Sequence, residues 1–158
     1  MSSDPIEIRP ATPADADAVS RVVVRSLRET DGKDYPPQVI EAVAARYTAK
    51  RVRELMASRR VLVAVRSGTL VGTASLEGDL VQSVYVSPEQ QGAGIGTSLM
   101  AAIEGLARSE GLKALNVASS ITAEGFYRKL GFSEFGREGH GEERLIRLEK
   151  SLGGPEAD

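Results

Sequence analysis

No cysteine occurs among the 158 residues of this chain, and it has a single histidine, His140. Disulfides, thiolate metal sites and a cysteine nucleophile are thereby excluded. With one histidine and no GxSxG elbow, a serine triad has no support either. Lysine plus arginine (20) almost balance aspartate plus glutamate (22), so there is no electrostatic footprint for nucleic acid. The chain also lacks a signal-peptide apolar region and any apolar run of the ~18 residues that a membrane span requires. These absences point to a cytoplasmic protein with neither nucleic acid nor membrane as a partner.

What is present fits one domain over residues 1–152, followed by a frayed tail at 153–158. A chain of this size buries roughly two thirds of its unfolded surface around a single core. A short strand is predicted at residues 6–9. Thr12-Pro13-Ala14-Asp15 then forms a capping box with proline at the first helical position, and Ala18, Val19, Val22, Val23 and Leu27 line one side of the helix it starts. After a loop at residues 31–37, helix is predicted over 38–58 with a break near Tyr47, where Thr48 can cap a second piece. Strands at 61–65 and 70–76 flank a Ser67-Gly68 hairpin turn, and Glu77-Gly78-Asp79 turns into a further strand, Leu80–Val86.

Beyond Ser87-Pro88 stand three glycines at alternate positions, Gly92, Gly94 and Gly96, and then a helix with Ile95, Leu99, Ala102, Ile103 and Leu106 at helical spacing, ended by Gly111. Glycines let backbone N–H groups turn toward an anion, and the helix N-terminus adds partial positive charge, so the segment suits a pyrophosphate. It is not a Walker A loop, because no lysine stands between Lys50 and Lys113. It is a poor Rossmann fingerprint, because Gly92-x-Gly94 leads to Thr97 and five residues separate strand from loop. Alone, it is equally compatible with a plain glycine-rich turn. The next strand, residues 112–118, completes a βαβ unit, predicted to be parallel with a right-handed crossover. A short helix at 122–130 and a last pair of strands at 132–139 and 143–148 complete the chain.

Gln91-Gly92-Ala93-Gly94-Ile95-Gly96 resembles the Q/R-x-x-G-x-G/A signature of the GCN5-related N-acetyltransferases (GNAT). Ala123-Glu124-Gly125-Phe126-Tyr127-Arg128-Lys129-Leu130-Gly131-Phe132 resembles the AxxFYxKxGF stretch of the same family, in the right order and at the right distance. The resemblance spans most of the chain, since residues 6–17 are similar to the family's opening and 61–76 to its second and third strands. It implies a single α/β (α+β) domain, with a mixed, mostly antiparallel sheet of about seven strands, a central parallel βαβ unit and helices on both faces. It also implies acetyl-CoA as cosubstrate, a primary amine on a small molecule, peptide or protein as acceptor and direct attack in a ternary complex, and it allows a homodimer, since dimers are common in the family.

Residue by residue, the resemblance places backbone groups of Val84, Tyr85 and Val86 on pantetheine and the thioester carbonyl. The pyrophosphate falls on Gln91, Gly92, Ala93, Gly94, Ile95, Gly96 and Thr97. Ser120 and Lys129 are further cofactor contacts, although many members have asparagine where Ser120 stands. Acyl transfer from a thioester to an amine requires a polarised carbonyl, a neutral amine and a proton for the departing thiolate, but no metal. Tyr127 is the general acid by this resemblance, since a phenol stays protonated at neutral pH. Where some members carry a glutamate on the strand before the loop, this chain has Leu80, so the base is sought in neighbouring Glu77 or Asp79 acting through a water. Residues 28–40, with Tyr35-Pro36-Pro37, and Tyr47 and Tyr85 are expected at the acceptor side. His140, between two glycines, reads as a turn residue of the final hairpin. The alternative to an enzyme is a catalytically silent acyl-CoA-binding module.

Overall fold

The computed structural model describes residues 4–138 and 145–153; His140 and the tail beyond Gly153 lie outside the described residues. The chain opens with β1 (Glu7–Pro10) and α1 (Ala16–Glu29). The capping box forms as predicted, but it caps a 3-10 turn over Pro13–Asp15 that feeds the α-helix. Asp15 accepts from the Thr12 backbone N–H at 2.7 Å and from Arg9 at 2.8 Å. Next come α2 (Pro37–Ala44) and α3 (Ala49–Ser58), with the Thr48 hydroxyl capping α3 through the Arg51 N–H.

The strands β2 (Arg60–Arg66), β3 (Thr69–Glu77) and β4 (Leu80–Val86) run up and down, and α4 (Ile95–Ser109) crosses to β5 (Ala114–Ser119). Ser67 and Gly68 both take positive φ, 54° and 79°, as a two-residue hairpin of this hand demands. The chain ends in α5 (Glu124–Lys129), β6 (Ser133–Glu138) and β7 (Leu145–Ser151). All strands join one seven-stranded sheet in the order β1-β2-β3-β4-β5-β7-β6. Every pairing is antiparallel except β4 with β5. The last strand thus inserts between β5 and β6, an arrangement that pairing the final strands in sequence does not reveal.

Apolar side chains alternate across the sheet into two cores. One packs Ile95, Leu99, Met100 and Ile103 of α4 against Ala64, Val71 and Val81, and the other packs Val19, Val23 and Leu27 of α1 with Ile40, Val52 and Val63. Helices therefore cover both faces. Among the described residues, no helix is long and apolar enough to cross a membrane.

Gly72 shows how closely α4 sits. A Cβ added there would lie 3.1 Å from Leu99 Cδ1, 3.2 Å from Ile95 Cγ2 and 3.3 Å from the Tyr85 carbonyl. Both neighbouring side chains are at most 1% exposed, so they have nowhere to move. Gly72→Ala is expected to lower stability by about 1–3 kcal/mol through overpacking, read as a lower urea midpoint at unchanged slope.

Two irregularities of β4 shape the site. Its parallel ladder with β5 consists of Leu80↔Asn116 and Val81↔Val117 alone, so beyond Val81 the strands part and this edge of β4 has no strand partner among the described residues. Between the β3–β4 pairs Ser75↔Gln82 and Thr73↔Tyr85 the register shifts, with Ser83 at φ 57°. Such a bulge reverses the inside-outside alternation. Val81 packs in the α4 core, and in an unbroken strand Tyr85 would share that face; instead Val84 and Val86 pack there and Tyr85 joins the α1–α3 side.

Candidate active site

The parting of β4 and β5 opens a cavity of about 870 Å³, walled by β4, the glycine loop, the segment from Ser119 to Tyr127, the end of α1, the segment after it, and α2. Gly92 and Gly94 both take φ 84°, and a Cβ at either would meet nothing within 4 Å. Backbone conformation, not space, demands glycine there. Gly96 serves a different purpose: a Cβ would lie 3.1 Å from Phe126 Cε1, so it lets α4 approach α5. Gly94 is the N-cap of α4, with no side-chain cap and no acidic residue in the first turn. The first-turn N–H groups are thus left available to an anion at the cavity wall.

The loop is braced from outside. Gln91 donates from Nε2 to Thr30 Oγ1 at 3.0 Å and to the Val86 carbonyl at 3.1 Å. Arg25 grips Glu89 through both terminal guanidinium nitrogens, and Arg66 donates to Gln90. In this arrangement the Gln91 side chain works as a tie between the loop, α1 and β4. The Ser83 bulge is similarly held, with its Oγ 2.6 Å from Tyr47 Oη and accepting from Arg59 at 3.0 Å.

Of the residues expected on sequence grounds, Val84, Tyr85, Val86, Gln91, Gly92, Gly94, Ile95, Gly96, Thr97, Ser120 and Tyr127 all line this cavity. Ile95 brings only its backbone, since its side chain is 1% exposed in the core. Four expected residues are absent from the wall: Ala93, Lys129, Glu77 and Asp79. Ala93 and Lys129 are exposed. Glu77 is the counter-ion of Arg59, 3.7 Å from its Nε, and accepts from Gln82. Asp79 accepts from Asn116 Nδ2 at 3.0 Å, at the start of the parallel ladder. Of the residues expected at the acceptor side, Tyr35, Tyr47 and Tyr85 line the cavity, whereas Pro36 and Pro37 do not.

Tyr127 is 5% exposed, and its ring meets Phe126 and Phe132 edge-on at centroid separations of 5.1 and 5.5 Å. Burial raises its phenol well above the ordinary value, and the charge of Asp31 adds to that. Tyr127 therefore holds its proton throughout the physiological range.

Asp31 is the residue that reading the motifs missed. It lines the cavity and is 9% exposed. Burial first, then the charge of Asp34, lift its carboxyl from 3.8 to about 6, while a hydrogen bond with the Ser120 side chain pulls the other way. Its place in the acceptor-side segment was a usable signal, but that segment also carries Asp34, and only burial separates them. Asp34 is exposed and accepts from Thr122 Oγ1 at 2.8 Å. Together with Tyr35 Oη, which accepts from the Ile121 N–H at 2.8 Å, this contact fastens the segment after α1 across the cavity to the loop before α5.

A family model described as an acetyltransferase (GNAT) domain matches residues 32–147. The chain is 31% identical over 127 residues to YafP, an uncharacterized N-acetyltransferase of Escherichia coli, covering 80% of this chain and 81% of that one. A GCN5-related N-acetyltransferase structure from Rhodopseudomonas palustris superposes with a TM-score of 0.88 at 29% identity, over 96% of this chain and 98% of its own. The PaiA N-acetyltransferase of Thermoplasma acidophilum, solved in complex with coenzyme A, matches with a TM-score of 0.80 at 22% identity, over 93% and 99% of the two chains. The signatures around Gly94 and Tyr127, the cavity they share and these likenesses agree: the chain belongs to the GNAT family and is an acetyl-CoA-dependent acyltransferase.

Proposed function

We propose that the protein acetylates a primary amine by direct attack in a ternary complex, with Tyr127 as the acid and Asp31 as the base. The observation that carries this reading is the pairing of a buried phenol and a buried carboxyl on one cavity beside the open edge of β4. Acetyl-CoA supplies an activated acyl carbon and a thiolate leaving group. The residues fit it: the glycine loop and the uncapped start of α4 suit its pyrophosphate, and the edge of β4 from Val84 to Val86, which has no strand partner among the described residues, suits its amide-rich arm.

A backbone N–H of that edge polarises the acyl carbonyl. An ammonium acceptor first loses one proton to solvent, and Asp31 accepts the second from the nitrogen as the C–N bond forms. Tyr127 donates to the sulfur as the C–S bond breaks; burial raises the basicity of a thiolate too, which brings acceptor and donor closer in strength. Asp31 then releases its proton to solvent and Tyr127 is reprotonated.

Thermal unfolding with and without acetyl-CoA is the first test. Ligand at a hundred times its dissociation constant stabilises by about 2.7 kcal/mol, a rise of roughly 5–10 °C, followed by amine-dependent release of free CoA. No rise with acetyl-CoA, or an equal rise with ATP, would sink the proposal.

A further inference from the structure

The acceptor side of the cavity carries a specific charge inventory. Among the described residues lining the cavity, Asp31 and Arg46 are the two with a formal charge. The same cavity has an apolar and aromatic wall that includes Leu27, Ile40, Val43, Tyr35, Tyr47 and Tyr85. Tyr47 and Tyr85 meet edge-on at 6.1 Å, and the Ser83 bulge is what turns Tyr85 to this side. The Tyr85 phenol, raised first by burial and then by Tyr47, feels both charges, since Asp31 raises it further and Arg46 lowers it. The phenol therefore lies within electrostatic reach of both charges.

Arg25, Arg28, Arg51 and Arg59 are each paired with a glutamate. Arg46 is exposed, has no carboxylate partner among the described residues and, unlike the other cations of this region, lines the cavity. One buried carboxylate can neutralise one ammonium, and a polyamine or aminoglycoside would leave further cations against apolar walls, which is costly. A guanidinium at the mouth suits a carboxylate bidentately.

Building on the acetyltransferase reading, we infer that the acceptor is an amino acid with an apolar or aromatic side chain, its amino group at Asp31, its side chain on the tyrosine and aliphatic wall, and its carboxylate at Arg46. The site thereby selects a zwitterion of limited size and rejects polycations.

The test is a steady-state panel with acetyl-CoA and five acceptors: phenylalanine, leucine, phenethylamine, spermidine and kanamycin. We expect phenylalanine or leucine to exceed phenethylamine in kcat/KM by about tenfold, the worth of one charge-assisted hydrogen bond, and spermidine and kanamycin to be slower still. In Arg46→Ala the preference for phenylalanine over phenethylamine falls by about tenfold, through KM more than kcat, and Arg46→Lys restores part of it. Faster turnover of spermidine or kanamycin, or a preference for phenylalanine that Arg46→Ala leaves intact, overturns the inference while the acetyltransferase reading stands. If acetyl-CoA raises the melting temperature but neither amino acid is turned over, the acceptor class is likewise wrong. If acetyl-CoA does not bind, the acetyltransferase reading fails and takes this inference with it.

Discussion

Replacing Tyr127 by Phe is expected to lower kcat by about 10²–10⁴-fold, the usual contribution of a positioned proton donor, with little change in acetyl-CoA affinity. The substitution removes one oxygen and leaves the ring between Phe126 and Phe132, whose edge contacts at 5.1 and 5.5 Å do not involve the hydroxyl. Stability should change little for the same reason. Single-turnover CoA release, measured beside an acetyl-CoA titration monitored by thermal shift, separates the two effects. Turnover within about twofold of the parent would mean that Tyr127 only packs α5 onto the sheet, since an acid acting on the leaving group cannot be removed so cheaply.

Asp31→Asn should act in opposite directions on activity and stability. As the base, Asp31 contributes about 100-fold or more to kcat/KM, and the acid limb of the pH profile, expected near its raised pKa of about 6, should vanish with it. The stability effect follows from the direction of the shift. The folded-state pKa lies above the 3.8 of the free group, so between these values the folded state binds more protons than the unfolded one, and stability falls as pH rises through that window. At neutral pH the ionised, buried carboxylate is a net cost. Removing its charge should then raise stability by roughly 1–3 kcal/mol, about 3–10 °C for a chain of this size, and the gain should disappear below about pH 4. Thermal melts of both proteins across pH decide this. A variant that loses activity and stability together at neutral pH would make Asp31 a structural acid.

These two residues also show how unevenly the site could be read. Tyr127 and the glycine loop were legible because their constraints are short-ranged. Gly92 and Gly94 can take φ 84° without steric cost, α4 repeats its apolar positions every three or four residues, and the Thr12 and Thr48 caps act within a single turn. The bounds of β4, Leu80–Val86, were read correctly for the same reason. Asp31 was not legible, because its difference from Asp34 is desolvation, produced where the chain near residue 31 meets the chain near residues 120 and 127. Glu77 and Asp79 were favoured as neighbours of Leu80, the position of the family's glutamate, but Arg59 and Asn116 engage them away from the cavity.

Alone, the sequence determined that this is one α/β chain with a pyrophosphate-type loop between a strand and a helix, and that a tyrosine of the matching signature follows it. It also determined what the protein does without, cysteine chemistry above all. Only the tertiary structure decided that β7 enters between β5 and β6, that the Ser83 bulge turns Tyr85 toward the α1–α3 side of the cavity, and that, among the described residues, Asp31 and Arg46 stand as the cavity's pair of opposite charges. The physical reason is range. Backbone dihedral limits and helical periodicity are settled within a few residues, whereas strand order, burial of a charge and the partner of an arginine depend on segments distant in the chain that packing brings together.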